Sequence, residues 1–183
     1  FYLKSAIPAD GLVKARESMA GKDGKKVSVN AFLMKMAAEA LKKYPMVNAS
    51  WQGDSIAVFK SIDIGLAVAQ SDGLITPIVR DCGSKGILQI EEELAGLIER
   101  ARAGKLLPDE YTNATFSISN LGSFGVDEFT AVINPPGSAI LAVGSLKKEP
   151  VVDPDGNIVA RSLLRVTLSC DHRVIDGAAG AGF

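Results

Sequence analysis

Leu163-Leu-Arg-Val-Thr-Leu-Ser-Cys-Asp-His172, running straight into Arg173-Val-Ile-Asp-Gly177, is the stretch on which the fold turns. Side chains alternate along a strand, so Val166, Leu168, Cys170 and His172 share one face, apolar until its last residue. Upstream, Asp153-Pro-Asp-Gly156 separates Val151-Val152 from Ile158-Val159, a turn between two β-rich runs that predicts a hairpin. Further β-rich runs lie at 55–60, 62–69, 74–79, 115–120, 129–133 and 139–143, with Ser71-Asp72-Gly73 as a turn signal between two of them.

Helical periodicity is confined to a few segments. Val29, Phe32, Leu33, Met36, Ala37, Ala40 and Leu41 form a stripe, with Ser28 as N-cap and Pro45 as the stop. Ile87, Ile90, Leu94, Leu97, Ile98 and Ala101 form a second. Gly104 suits a left-handed C-terminal position, and Arg100 and Arg102 suit the negative pole of that helix. A shorter helix is expected from Ala9 to Ala20. Many strands and few helices, not strictly alternating, predict an α+β, two-layer sandwich of a mixed sheet with helices.

The totals set limits on function. One domain spanning residues 1–183 is expected, with roughly two-thirds of the unfolded surface buried. A net charge of −1 offers no field for nucleic acid, and no apolar run reaches the roughly 18 residues that a membrane span needs. Two cysteines, Cys82 and Cys170, are too few for a disulfide framework or a thiolate zinc site, so no metal is expected and a reducing, intracellular setting fits. The run Gly177 to Phe183 reads as a helix start whose body is missing, and a domain cut from a longer polypeptide is expected.

His172 is the chain's single histidine. At the end of a buried face it is either a packed, hydrogen-bonded residue or a base, an imidazole being the side chain that titrates near neutrality. Two carboxylates, a guanidinium and a glycine lie within the same seven residues. Asp176, four positions on, can hold the loop by pairing with an arginine or by accepting backbone N–H groups. Ser119 shares a strand face with Thr115 and Ser117, a polar strip that suits either a lined channel or solvent. Cys170 beside His172 would make a Cys/His pair, but no third orienting group accompanies it. Gly137-Ser-Ala139 is not a nucleophile elbow. Gly83-Ser-Lys-Gly86 lacks the spacing of a phosphate loop. Trp51 reads as a packing aromatic.

His-x-x-x-Asp-Gly, here Asp171-His-Arg-Val-Ile-Asp-Gly177, resembles the signature of chloramphenicol acetyltransferase, of peptide-synthetase condensation domains and, most fully, of the dihydrolipoamide acyltransferases of 2-oxoacid dehydrogenase complexes. Val29-Asn-Ala-Phe32, Asp72-Gly-Leu-Ile-Thr-Pro-Ile-Val79, Phe116-Ser-Ile-Ser-Asn-Leu-Gly122, and Ile133-Asn-Pro-Pro136 with Ala139-Ile-Leu-Ala-Val-Gly144 resemble that family's other blocks, in order. Ser169-Cys170 and the Ala-rich tail are most similar to the acetyl-transferring, pyruvate dehydrogenase type.

The resemblance implies a chloramphenicol acetyltransferase-like fold and acetyl transfer between a dihydrolipoyl group, carried on a separate domain, and coenzyme A. His172 would be the general base, Ser119 the oxyanion donor and Asp176 the support of the His loop through an arginine ion pair. It implies a homotrimer with sites shared between chains, built into a larger core whose size the missing C-terminal helix leaves open. The 2-oxoacid decarboxylase and dihydrolipoamide dehydrogenase would be partners through domains outside this chain. The setting would be the bacterial cytoplasm or the mitochondrial matrix. Succinyl or branched-chain transfer, and a non-catalytic core subunit, are the alternatives.

Overall fold

The computed structural model describes residues 1–19, 24–70 and 73–183. The expected turn at Ser71-Asp72 and the expected helix end at Ala20 lie outside the described residues. In chain order the elements are β1 (Tyr2–Pro8), α1 (Asp10–Ser18), α2 (Val29–Lys43), β2 (Ala49–Trp51), β3 (Ile56–Val58), β4 (Ile64–Gln70), β5 (Gly73–Ile75), β6 (Ile78–Val79), α3 (Ile87–Arg102), β7 (Phe116–Asn120), β8 (Ala139–Val152), β9 (Ile158–Cys170) and α4 (Gly177–Gly182). The main sheet has the order β1-β9-β8-β7-β4-β5, with β6 also on β4, while β2 and β3 pair apart from it. Strand β7 runs parallel to β4 and β8, and β9 runs antiparallel to β8 and β1. The α+β, mixed-sheet expectation holds.

The helices follow their sequence signals. Ser28 caps α2 by accepting from Ala31 N, and its own hydroxyl donates to Glu91 of α3 at 2.5 Å, so one residue starts one helix and ties it to the other. Gly104 takes the left-handed φ of +66° after α3. The apolar stripe of α2 sits differently from the expected one. Met34 and Ala38 are buried, whereas Met36 is 49% exposed. Because α2 touches both α3 and β4, its buried arc is wider than a one-sided surface helix needs.

Pairing register sorts the sheet into two chemically different faces. Leu66, Ile118, Leu141, Leu168 and Leu3 form one cross-strand row, and all five belong to or pack against the main core with α2 and α3. One residue further along, the row on the opposite face is Ala67, Ser119, Ala142, Thr167 and Lys4, small and polar throughout.

The second face is covered by the irregular segment 125–137. The expected strand at Phe129–Ile133 is corrected here: the segment joins no sheet. Half-buried Phe129, Ala131 and Ile133 still alternate with exposed Thr130 and Val132, so the period of two is real. It reports a chain lying flat on a sheet face, held by Ser169 Oγ donating to Ala131 O at 2.7 Å and Ser145 N donating to Val126 O at 2.8 Å. Gly144 permits this cover, since a Cβ there would stand 1.8 Å from the Asp127 carbonyl oxygen. The expected 74–79 strand is likewise divided into β5 and β6 around Thr76-Pro77.

Strand β8 outruns its expected end by nine residues, forming with β9 a long hairpin in which Val151 faces Val159 and Val152 faces Ile158 across the predicted turn. Strand β1, which the sequence reading did not assign, pairs with β9 along its whole length.

Candidate active site

The His172 loop is built from its anchors. Strand β9 ends at Cys170, and Asp171 N donates to Ser138 O at 2.8 Å. Val174 N and Ile175 N both donate to Asp171 O, at 3.0 and 2.9 Å, closing a tight turn with the side chains of Val174 and Ile175 buried inside it. Asp176 then caps α4, accepting from Ala179 N at 2.8 Å. Gly180 lets α4 lie close on Leu3, Cys170 and Ile175. Between these fixed points His172 is exposed, and its ring lies 4.6 Å, centroid to centroid, from that of Phe1.

The expected arginine ion pair on Asp176 is corrected by this geometry. Among the described residues Asp176 pairs with no arginine; it serves through backbone acceptance, the other route open to it. The ion pair of the loop is Asp171 with Arg173, at 2.9 Å from Nε and 2.6 Å from Nη2, and that guanidinium beside Asp171 holds its carboxyl below the usual carboxylate range. Arg173 also lies over the ring of Trp51 at 5.5 Å. Trp51 packs on the core as expected, but it also walls a cavity of about 480 Å³ with Ser50, Ile133, Pro136, Asp171 and Arg173. No sequence signal pointed to this wall, which needs β2, the 133–138 segment and the His loop brought together.

Ser119 sits half-buried at the middle of the sheet, between Ala67 of β4 and Ala142 of β8. Its neighbour Asn120 donates to Asn30 Oδ1 at 2.7 Å and accepts from Gly122 N at 2.9 Å, fixing the end of β7 to the start of α2. A second cavity, about 430 Å³, opens beside Asn30 between α2 and α3.

Register separates Ser119 from His172. Ser119 faces Ala142, and Ala142 faces Thr167, five residues before His172. At about 3.3 Å per residue and about 4.8 Å per strand, the Cα of Cys170, the end of β9 from which the His172 loop projects, stands roughly 14 Å from that of Ser119 within one chain. The chain brings His172 and Asp176 together and leaves Ser119 at a different level of the sheet.

The remaining candidates have structural duties. Ser138 Oγ donates to Ala49 O and is buried. Lys85 pairs with Glu93 at 2.5 Å. Among the described residues no cluster of His, Cys, Asp and Glu could hold a metal, and no helix is long and apolar enough to cross a membrane. Burial pushes both the Cys82 and Cys170 thiols up to about 11, so neither supplies a thiolate near neutrality. Both cysteines of the native protein are therefore expected to resist labelling by a disulfide reagent at pH 8 and to react within minutes once denatured. Rapid native labelling of Cys170 would revive the Cys/His pair.

With this geometry established, the likenesses to known proteins carry weight. The model of the 2-oxoacid dehydrogenases acyltransferase (catalytic domain) family matches residues 1–183. The acetyltransferase component of the pyruvate dehydrogenase complex of Rickettsia bellii is 44% identical over the whole chain, which spans only 44% of that relative's length. Among solved structures, the cubic core of a pyruvate dehydrogenase multienzyme complex aligns with TM-score 0.92 at 36% identity, over 99% of this chain and 76% of that one.

The Azotobacter vinelandii dihydrolipoamide acetyltransferase aligns with TM-score 0.93 at 37% identity over the same shares. That enzyme was solved to examine the catalytic roles of a histidine and an asparagine four residues apart, with a serine some fifty residues upstream. A chloramphenicol acetyltransferase shares the fold alone, with TM-score 0.60 at 13% identity over 100% of this chain and 83% of that one.

Proposed function

The chain belongs to the family of 2-oxoacid dehydrogenase acyltransferase catalytic domains, and on that premise we propose that it transfers an acetyl group between a dihydrolipoyl thiol and coenzyme A. His172 takes the proton from the attacking thiol. The thiolate adds to the carbonyl carbon of the other thioester, and the tetrahedral oxyanion accepts a hydrogen bond from Ser119 Oγ. Collapse of that intermediate breaks the old C–S bond, and the imidazolium returns its proton to the departing sulfur. Asp176 acts through the backbone of α4, which holds the His loop in place. The spacing of Ser119, His172 and Asp176 parallels that of the serine, histidine and asparagine examined in the Azotobacter vinelandii enzyme.

The observation that carries this reading is the exposed His172 on a loop anchored at both ends, inside a signature matched from one end of the chain to the other. The roughly 14 Å between Ser119 and the end of the strand that carries the His172 loop supports a site completed by two copies, with Ser119 from one and His172 from its neighbour. In this reading the copies form a homotrimer built into a larger core. The lipoyl group is carried on a separate domain, and the decarboxylase and dihydrolipoamide dehydrogenase are reached through domains outside this chain, in a bacterial cytoplasm or a mitochondrial matrix.

Thioester exchange with free dihydrolipoamide and acetyl-, succinyl- or isobutyryl-coenzyme A tests the acyl group. Acetyl is expected to be the best donor by at least about tenfold, the order of discrimination that a pocket achieves per methylene. A succinyl optimum would move the chain to a different complex.

A further inference from the structure

Among the described residues His172 has no hydrogen-bond or ion-pair partner in its own chain. Asp171 and Arg173 are paired with each other, Asp176 accepts from Ala179 N, and the neighbouring Cys170 thiol stays protonated under burial. A base whose imidazole can rotate freely spends much of its time in the wrong orientation, so something else must set the ring. The candidate in contact is Phe1. Its backbone nitrogen donates to Cys170 O at 3.0 Å and its carbonyl accepts from Cys170 N at 2.9 Å, so Phe1 lies directly across from Cys170. That pairing makes Phe1 the diagonal, same-face neighbour of His172, within reach of an aromatic side chain. The two rings meet at 4.6 Å with an interplanar angle of 49°, and the body of Phe1 packs against the core.

We propose that Phe1 is a positioning residue for the acyl transfer: its ring covers one flank of the His172 imidazole and holds it in the orientation that meets the thiol. An edge-tilted aromatic contact of this kind restricts rotation of the imidazole, and a core-packed ring is a stiffer wall than an aliphatic chain. The inference rests on His172 being the base.

The test compares Phe1→Leu, Phe1→Met and Phe1→Tyr with His172→Ala in the intact, assembled protein. Melting temperature is followed beside the thioester-exchange rate. Leu and Met keep an apolar side chain against the core and remove the ring; Tyr keeps the ring. Expected are a fall in kcat of about ten- to a hundredfold for Leu and Met with KM for acetyl-coenzyme A within about twofold, and a rate within about twofold of the parent for Tyr, since small displacements of a catalytic group cost rates of this order. Wild-type kcat in whichever of Leu and Met folds normally, or a loss confined to KM, would overturn the role of Phe1 while leaving His172 as the base. Full activity in His172→Ala would instead remove the base itself.

Discussion

Alanine at position 172 is expected to lower the rate of acetyl exchange by about a hundred- to ten-thousandfold, the range that a positioned general base supplies, while the protein folds and assembles as before. The structure separates the two effects. His172 is exposed and carries none of the loop's anchors, so its truncation opens no cavity. The turn is held by Val174 N and Ile175 N on Asp171 O, by the Asp171–Arg173 pair and by the Asp176 cap, all of which survive the substitution. Loss of activity with an unchanged melting temperature therefore isolates the chemistry. Steady-state exchange at saturating dihydrolipoamide, read beside thermal denaturation, is the measurement. A variant keeping more than about a tenth of the parent rate would lie below the contribution of any general base and would end the role assigned to His172.

What could be read from the chain depended on whether the signal was local. Helices α2 and α3 were legible because their caps and apolar periods are written within sixteen residues, and the hairpin turn because Asp153-Pro-Asp-Gly156 suffices to make it. Where the environment beyond the element decides, reading failed in specific ways. Met36 fits a one-sided stripe by spacing, but α3 and β4 flank the helix and shift the buried arc to Met34 and Ala38. The period of two at 129–133 marks a chain packed flat on a sheet, a role that alternation cannot distinguish from pairing.

The site was legible unevenly for the same reason. His172 and Asp176 are four residues apart, and their loop could be inferred as a unit, although Asp176's choice between an arginine and the backbone could not. Ser119 came from resemblance alone. Periodicity placed it on a polar strip along one strand without saying what lay beside it, and the fold sets Ser119 in a row of small and polar residues that runs across five strands. Strand order is a property of the whole sheet. That β8 lies between β7 and β9, and that Ser119 and His172 fall at different levels of the same sheet, has no local signature in either segment.

That separation leads to the second large effect. Ser119→Ala alone is expected to lose about a hundredfold in rate, and His172→Ala more. When the two inactive variants are co-assembled in equal amounts, activity is expected to return to about a quarter of the parent, because in the proposed closed ring each site would draw its serine from one copy and its histidine from the next. With random mixing, one junction in four has the intact serine of a His172→Ala copy facing the intact histidine of a Ser119→Ala copy. A site contained in one chain has no such junction, since every copy lacks one of the two groups, and the mixture could never exceed the residual rate of the better variant. The roughly 14 Å that the sheet register sets between Ser119 and the end of β9 argues against the one-chain arrangement. Distinguishing tags on the two copies, with exchange rates measured on the doubly tagged trimers, remove any contribution from unmixed protein and raise the expected value to about a third, since every mixed ring of three has one productive junction. Doubly tagged assemblies that remain as slow as Ser119→Ala alone would return both residues to a single protomer and leave the register-based separation without a catalytic meaning.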